Sequence, residues 1–153
     1  MTETTTVSSS LCDEDEALLR SFSAPYTKED TFRVASWNVN GGDHVHTRAA
    51  IMRICQCVDI LCLQQVSRPT VMYLHSMVKT QATAWKVYCS GVGASRNVVV
   101  CMTGESDEVN WFAKIDGLGV ALHDVCYPHC TVVVNRNGAV ACFTSFHTPR
   151  DDQ

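Results

Sequence analysis

The chain has 153 residues, 46% hydrophobic and 18% charged, with a formal net charge of −4. That apolar content excludes a wholly disordered polypeptide, and the length allows one domain but hardly two. Residues 1–30 hold seven acids and two bases, leaving nine acids and ten bases over 31–153, so the acidity is a property of the tail and neither favours nor excludes a phosphate-bearing partner for the body.

In chain order, residues 1–30 are Thr/Ser-rich and then acidic, and read as a disordered acidic tail. A short helix from Asp13 to Phe22, capped by Asp13 with acids in its first turn, is the competing state. Phe32 to Asn40 alternates apolar and polar residues and stops at Gly41-Gly42, a strand ending in a turn. Arg48 to Val58 has helical apolar spacing through Ala50, Ile51, Ile54, Cys55 and Val58. Asp59 breaks it, and Ile60-Leu61-Cys62-Leu63 is a strand apolar on both faces. Pro69 suits a first helical turn, and Val71, Leu74, Met77 and Val78 continue that helix on one face. Strands follow at Trp85–Cys89 and Asn97–Met102. Gly104 to Gly117 reads as a polar loop and Leu118–His123 as an ambiguous strand. Thr131–Val134 and Ala139–Phe146 flank an Asn137-Gly138 hairpin signal. The order strand, helix, strand, helix, then several strands makes an α/β sheet whose early strands need helical crossovers.

No apolar run approaches the roughly 18 residues of a membrane span, and Met1 to Ser10 has the features of neither a secretory signal nor a presequence. The nine cysteines, an odd number set largely in apolar runs, read as small buried hydrophobes in a reducing, cytoplasmic or nuclear, compartment.

Two strand ends carry candidate chemistry. Trp37-Asn38-Val39-Asn40-Gly41 is an amide-rich turn after the first strand, and Gln64 and Gln65 close the second. Carboxyl ends of adjacent parallel strands are where open α/β sheets place ligands, so Asn38, Gln64 and Gln65 are expected to share a crevice. The plainer reading is that these amides satisfy backbone groups.

"FRVASWNVNGG", followed after one helix by "DILCLQQV", resembles the endonuclease/exonuclease/phosphatase family, whose first strand ends in Trp-Asn-x-x-Gly and whose second ends in Leu-Gln-Glu-[Val/Thr]. "NVVVCM" and "AVACFTSFHTP" resemble later strands of that family, the last of which ends in His-Leu-Pro. "HTRAAIMRICQCVDILCLQQVSRPTVMYL" and "TSFHTP" look most like its 5′-tyrosyl-DNA phosphodiesterase branch. The resemblance spans Phe32 to about Pro149. It implies a partial two-sheet α/β sandwich over 31–153 with helices on one face, and a Mg²⁺-dependent phosphodiesterase site acting on nucleic acid or a related phosphoester. Asn38 and Gln65 fall at the metal positions and His147 at the phosphate-contacting catalytic histidine. Asn40 falls where the tyrosyl-DNA branch has Asp, and Asn40 and Gln64 are the expected substrate-binding residues.

The sequence departs from the family at the metal. Gln65 stands where the family has Glu, and Mg²⁺ is normally held by one or two carboxylates. A unit-charge pair at ~4 Å is worth about 4 kcal/mol at an effective dielectric near 20, so the exchange predicts Mg²⁺ binding that is weak or absent. Asn40 removes a further carboxylate, and Asp43 is the only nearby acid. The family's later Gly-Asp-x-Asn and Ser-Asp-His motifs do not occur after His147 within the 153 residues. An impaired phosphodiesterase and a catalytically silent binding or structural module are therefore both readings of this sequence.

Other groupings are weaker. Cys126-Tyr127-Pro128-His129-Cys130 suggests zinc but lacks a fourth ligand at a matching spacing, and reads better as structural loop cysteines. Cys55 and Cys57 point apart on a helix, His44-x-His46 reads as a solvated loop, Gly91-Val92-Gly93-Ala94 as a turn, and Pro69 to Lys79 as a core helix. Ile60 to Leu63, Val98 to Val100, Cys142 and Phe143 lie in runs apolar on both faces, and two helices cover only one. The second face is expected to be closed by self-association, by a protein partner, or by the 103–130 segment.

Overall fold

The computed structural model describes residues 12–21, 31–80, 85–91, 96–102, 107–113, 120–122, 125–127 and 129–147. The first sheet contains β1 (Val34–Gly41), β2 (Ile60–Val66), β3 (Trp85–Ser90) and β4 (Asn97–Met102) in the order β1-β2-β4-β3. β1 and β2 run parallel, joined by α2 (Val45–Cys55); β4 is antiparallel to both β2 and β3. The second sheet is antiparallel in the order β5-β8-β9, from β5 (Glu108–Ala113), β8 (His129–Arg136) and β9 (Ala139–Phe146). β6 (Val120–Leu122) and β7 (Val125–Tyr127) form a separate antiparallel pair.

Alternation explains the layers. Leu61 and Leu63 of β2, with Val98 and Val100 of β4, point to one side and meet Ile51, Ile54 and Cys55 of α2 and Leu74 of α3 (Arg68–Thr80). Ile60, Cys62, Val99 and Cys101 point to the other side and meet Cys130, Val132 and Val134 of β8. Every residue from Ile60 to Leu63 and from Val98 to Cys101 is buried, as expected for central strands covered on both faces. The architecture is α/β, with helices, a mixed sheet and an antiparallel sheet in successive layers.

Several expectations change. α2 begins at Val45 rather than Arg48, because the His44 side chain accepts the His46 N–H and caps it. The polar stretch read as a loop contains β5, paired with β8 over its full length; Glu108 and Asn110 are exposed, so polarity marked an exposed strand face. Residues 103–106, 114–119 and 92–95 lie outside the described residues. His129 and Cys130 belong to β8, not to a loop, and neighbours in a strand point to opposite faces. The sheet face expected to be open is covered by this same chain over β2 and β4, chiefly by β8 and β9, while the same side of β1 stays exposed at Val34, Ser36 and Asn38. Cys142 is exposed and Phe143 only half-buried, because they lie on the second sheet.

The acidic tail contains a helix. α1 (Asp13–Ser21) carries four acids in its first turn, which favour the positive end of its dipole. Leu19 is buried in the helix-side core, and Glu16 accepts hydrogen bonds from Arg53 of α2 at 2.5 Å. Amphipathic docking, rather than propensity, outweighs the entropy favouring a solvated tail. The rest of the tail, 1–11 and 22–30, lies outside the described residues. Among the described residues, no helix is long and apolar enough to cross a membrane.

An ion cluster joins the sheets where β2 begins. Arg136, at the end of β8, is 2% exposed and donates from Nε and Nη2 to both Asp107 carboxylate oxygens at 3.1 and 3.0 Å. Its Nη2 lies 3.6 Å from Asp59, its Nη1 donates to the Thr31 carbonyl at 2.9 Å, and its guanidinium stacks 4.3 Å from the Phe32 ring. Asp59 in turn accepts the Arg33 N–H at 2.9 Å. Burial alone would lower the Arg136 pKa; hydrogen bonding and charge from Asp107 and Asp59 outweigh it and raise it.

Candidate functional site

The carboxyl ends of β1 and β2 lie side by side with Asn38 in register with Gln64. Gln64 is in register with Asn97 of β4, and Asn97 with Ser90 of β3. One polar row, Asn38–Gln64–Asn97–Ser90, therefore crosses the whole first sheet on the side facing the second. It ends the apolar layer of Ile60, Cys62, Val99 and Cys101 and defines a rim. Gln64, Asn97 and Ser90 are buried, while Asn38 is exposed.

A buried amide is costly unless bonded. Gln64 Nε2 donates to Ser145 Oγ of β9 at 2.9 Å and to Ser36 Oγ at 3.2 Å. Ser145 Oγ, fully buried, donates to the Leu63 carbonyl at 2.8 Å. Further along the rim, Ser90 Oγ donates to the His129 carbonyl. The second sheet is thus tied to the first at this edge by neutral groups. His147, half-buried, follows two residues after Ser145, just beyond the end of β9.

Beyond Asn38 the register slips. Val39 and Asn40 of β1 stand against Gln65 alone before Gly41 pairs with Val66, which is a β-bulge. Asn40 and Gln65 both adopt left-handed backbone conformations, φ 47° and 53°. Asn38 Oδ1 accepts the Asn40 N–H at 3.1 Å, holding that turn. Gly41 and Gly42 follow at φ 100° and 80°, and a Cβ on Gly42 would come within 3.1 Å of Thr70 Cγ2 and 3.2 Å of Val39 Cγ2. Glycine is needed there for backbone and for space.

Of the residues expected at a site, Asn38 and Gln64 are brought into register, Asn40 and Gln65 share the bulge, and His147 follows the tied end of β9. Gln64 is engaged between the sheets. Asp43 turns to the start of α3: its Oδ1 accepts from Ser67 Oγ at 2.5 Å and Thr70 Oγ1 at 3.2 Å and lies 3.6 Å from Arg48. Among the described residues, no three or more His, Cys, Asp or Glu side chains are grouped to hold a metal. Asn38 and Gln65 offer neutral amides only, and that donor set does not fit Mg²⁺. Asn38, exposed at the end of the polar row, can instead donate and accept hydrogen bonds with a polar ligand without supplying a carboxylate.

The sequence reading missed Ser145, Ser36, Asn97 and Ser90. Ser145 had a local signal, a hydroxyl at the inward phase of a strand two residues before His147. The others emerge only from register. The remaining candidates are structural: His44 caps α2, Cys55 is buried in the helix-side core, and His129 Nδ1 lies 2.7 Å from Thr131 Oγ1 on its own strand. No family model, no curated protein and no solved structure matches the chain.

Proposed function

We propose that the rim at the ends of β1, β2 and β9 is a phosphoester-binding site of the endonuclease/exonuclease/phosphatase type, with hydrolysis impaired by Gln65. The observation that supports this reading most is the Gln64–Ser145 hydrogen bond, which puts the His147 segment at the same edge as the Asn38 and Gln65 strand ends. Asn38 and Gln65 would bind phosphoryl oxygens or bridging water through their amides, with Asn40 and Gln64 shaping the pocket from the bulge and the tie. His147 would contact the phosphate. Nucleic acid is the ligand class that the motifs favour. The second reading, a silent module serving only in protein binding or structure, draws on the neutral donor set.

Binding of a fluorescein-labelled single-stranded oligonucleotide, followed by anisotropy, separates the two. Asn38→Ala and His147→Ala should each weaken it about fivefold, the worth of one hydrogen bond of ~1 kcal/mol. Equal affinity in the native chain and both variants would leave the silent module. Gln65→Glu restores one carboxylate and should tighten Mg²⁺ binding by at least about tenfold in calorimetry. No change would mean that the rim does not have the geometry of a metal pocket.

A further inference from the structure

We propose that the rim selects an oxyanion and rejects a cation, and that Asn38 sets this choice through its side-chain N–H groups. The inference rests on the phosphoester reading and sharpens it: the ligand is held by its own negative oxygens, with no metal between.

The polar row leaves this task to Asn38. Gln64 spends its side-chain N–H groups between the sheets, on Ser145 Oγ at 2.9 Å and Ser36 Oγ at 3.2 Å. Ser90 donates to the His129 carbonyl, and Asn97 is 2% exposed. Asn38 is the exposed member. Its Oδ1 accepts the Asn40 N–H at 3.1 Å, which identifies oxygen and nitrogen in this amide, because only the oxygen can accept a backbone N–H. Among the described residues, Asn38 Nδ2 has no hydrogen-bond partner. An amide carries its nitrogen and oxygen on opposite sides of Cγ, so a bond that locks the oxygen to the backbone turns the N–H groups away from it. A ligand that reaches Asn38 meets donors, and donors take acceptor oxygens. A cation needs the oxygen that the bulge already uses.

The charges around the row have the matching sign. The segments that close this edge are 38–48, 64–68, 90–91, 96–97, 129–130 and 145–147. They carry Arg48, Arg68 and Arg96 against one acid, Asp43, a formal excess of +2 with their four histidines neutral, in a chain whose net charge is −4. Asp43 is itself engaged: its Oδ1 accepts from Ser67 and Thr70 and lies 3.6 Å from Arg48. A local positive excess concentrates anions and depletes cations.

The competing role for Asn38 is that of a brace alone, an Asx turn that holds the bulge. Asn38→Asp separates the two. A carboxylate of the same shape still accepts the Asn40 N–H, so the bulge is kept, while the N–H donors give way to an anionic oxygen. Asn38→Ala removes donors and brace together. The full chain is titrated with inorganic phosphate and with a thymidine dinucleotide at constant ionic strength, and binding is read from amide signals in nuclear magnetic resonance. In the native chain the Asn38 side-chain N–H signals should move with phosphate and stay in place with magnesium chloride. Asn38→Ala should weaken phosphate binding about fivefold, the worth of one hydrogen bond. Asn38→Asp should weaken it about tenfold or more, because repulsion adds to the lost charge-assisted bond. A brace would reverse that order, with Asn38→Asp binding like the native chain. Native affinity in Asn38→Asp, or Asn38 signals that follow magnesium instead of phosphate, would overturn the inference and leave the phosphoester reading standing. Failure of both probes to bind the native chain would overturn the two together. Tighter binding of the dinucleotide than of phosphate would identify a phosphodiester as the source of the oxyanion, and equal binding a free phosphate; either supports the selection by Asn38.

Discussion

At one end of the sandwich Arg136 joins the sheets through Asp107 and Asp59; at the other, Gln64 and Ser145 join them with no charge. The charged end is closed: the Arg136 and Asp107 side chains are 2% and 3% exposed, with a bidentate geometry that leaves a ligand little to bind. The neutral end is half open, with Gln64 covered and Asn38 exposed beside it in register. Burying ions is worthwhile only where every donor and acceptor is satisfied. Amides and hydroxyls tolerate a partly wet site. The same two sheets can therefore be fixed at one end and left able to accept a ligand at the other.

The largest effect should come from breaking the charged end. Asp107→Ala leaves the Arg136 guanidinium buried beside Asp59 at 3.6 Å with its bidentate partner gone. Breaking a buried pair in this way costs about 3–5 kcal/mol, a large part of a typical domain stability of about 5–15 kcal/mol. Urea unfolding of the variant measures it. A loss below about 1 kcal/mol would mean that the cluster does not hold the sheets.

Between the two ends, buried thiols give the interior its own pH dependence. Burial pushes Cys62 up to about 11 and, helped by neighbouring thiols, Cys101 and Cys130 up to about 12, from 9.0. On the helix side, burial and then Cys57 push Cys55 to about 12. A thiol whose folded pKa is raised favours the folded state fully below its unfolded pKa, and that contribution is lost as pH rises from there through the folded value. Stability should therefore fall as pH rises from 9, through about 11 for Cys62 and about 12 for the others, by at most about 1.4 kcal/mol per thiol for each pH unit. Thermal unfolding at pH 8 and pH 10, repeated with Cys101→Ala, reads the slope; a slope that Cys101→Ala leaves unchanged would assign it to other groups.

The neutral end should yield less. Ser145→Ala removes the hydrogen bonds to Gln64 and to the Leu63 carbonyl, while Gln64 keeps Ser36. About 1–3 kcal/mol should be lost. Nuclear magnetic resonance adds a sharper readout: the Gln64 side-chain amide signals should move, and the His147 ring signals with them if the tie sets the end of β9. Unchanged His147 signals would separate the rim from β9.

The first sheet was legible because its signals are local. Alternation before Gly41-Gly42 and a run of four apolar residues at Ile60–Leu63 each announce an element without reference to the rest. The second sheet was less so. β5 reads as polar because half of it faces outward, and α1 reads as tail because the surface it docks on, the Ile51 and Ile54 core and Arg53, lies far along the chain. The rim divides the same way. Asn38 and Gln65 stand in recognisable motifs, but Ser145 and Asn97 matter through register across strands. Arg136 lay inside a turn signal, which hid that it is the most buried cation described and the centre of the opposite end.

The smallest effect concerns α1, which is held by a charge pair of a different kind from the Arg136 cluster. Glu16 is 11% exposed and Arg53 44%, with a separation of 2.5 Å. Water reaches one partner, so the pair is screened and its worth lies within about 1 kcal/mol. Leu19, buried against the core formed by Ile51 and Ile54, carries the rest of the docking. Glu16→Gln keeps a hydrogen-bonding side chain of the same shape and removes only the charge. Global urea unfolding should shift by less than about 1 kcal/mol, while amide exchange across Asp13–Ser21 should accelerate, because α1 opens without the sandwich. Raising the salt should bring native exchange toward that of the variant, as screening removes the charge term. If exchange in α1 is insensitive to both the substitution and salt, Leu19 alone holds the helix. Any acceleration that spreads into β1 and β2 would instead show that α1 is part of the cooperative unit rather than a helix docked upon it.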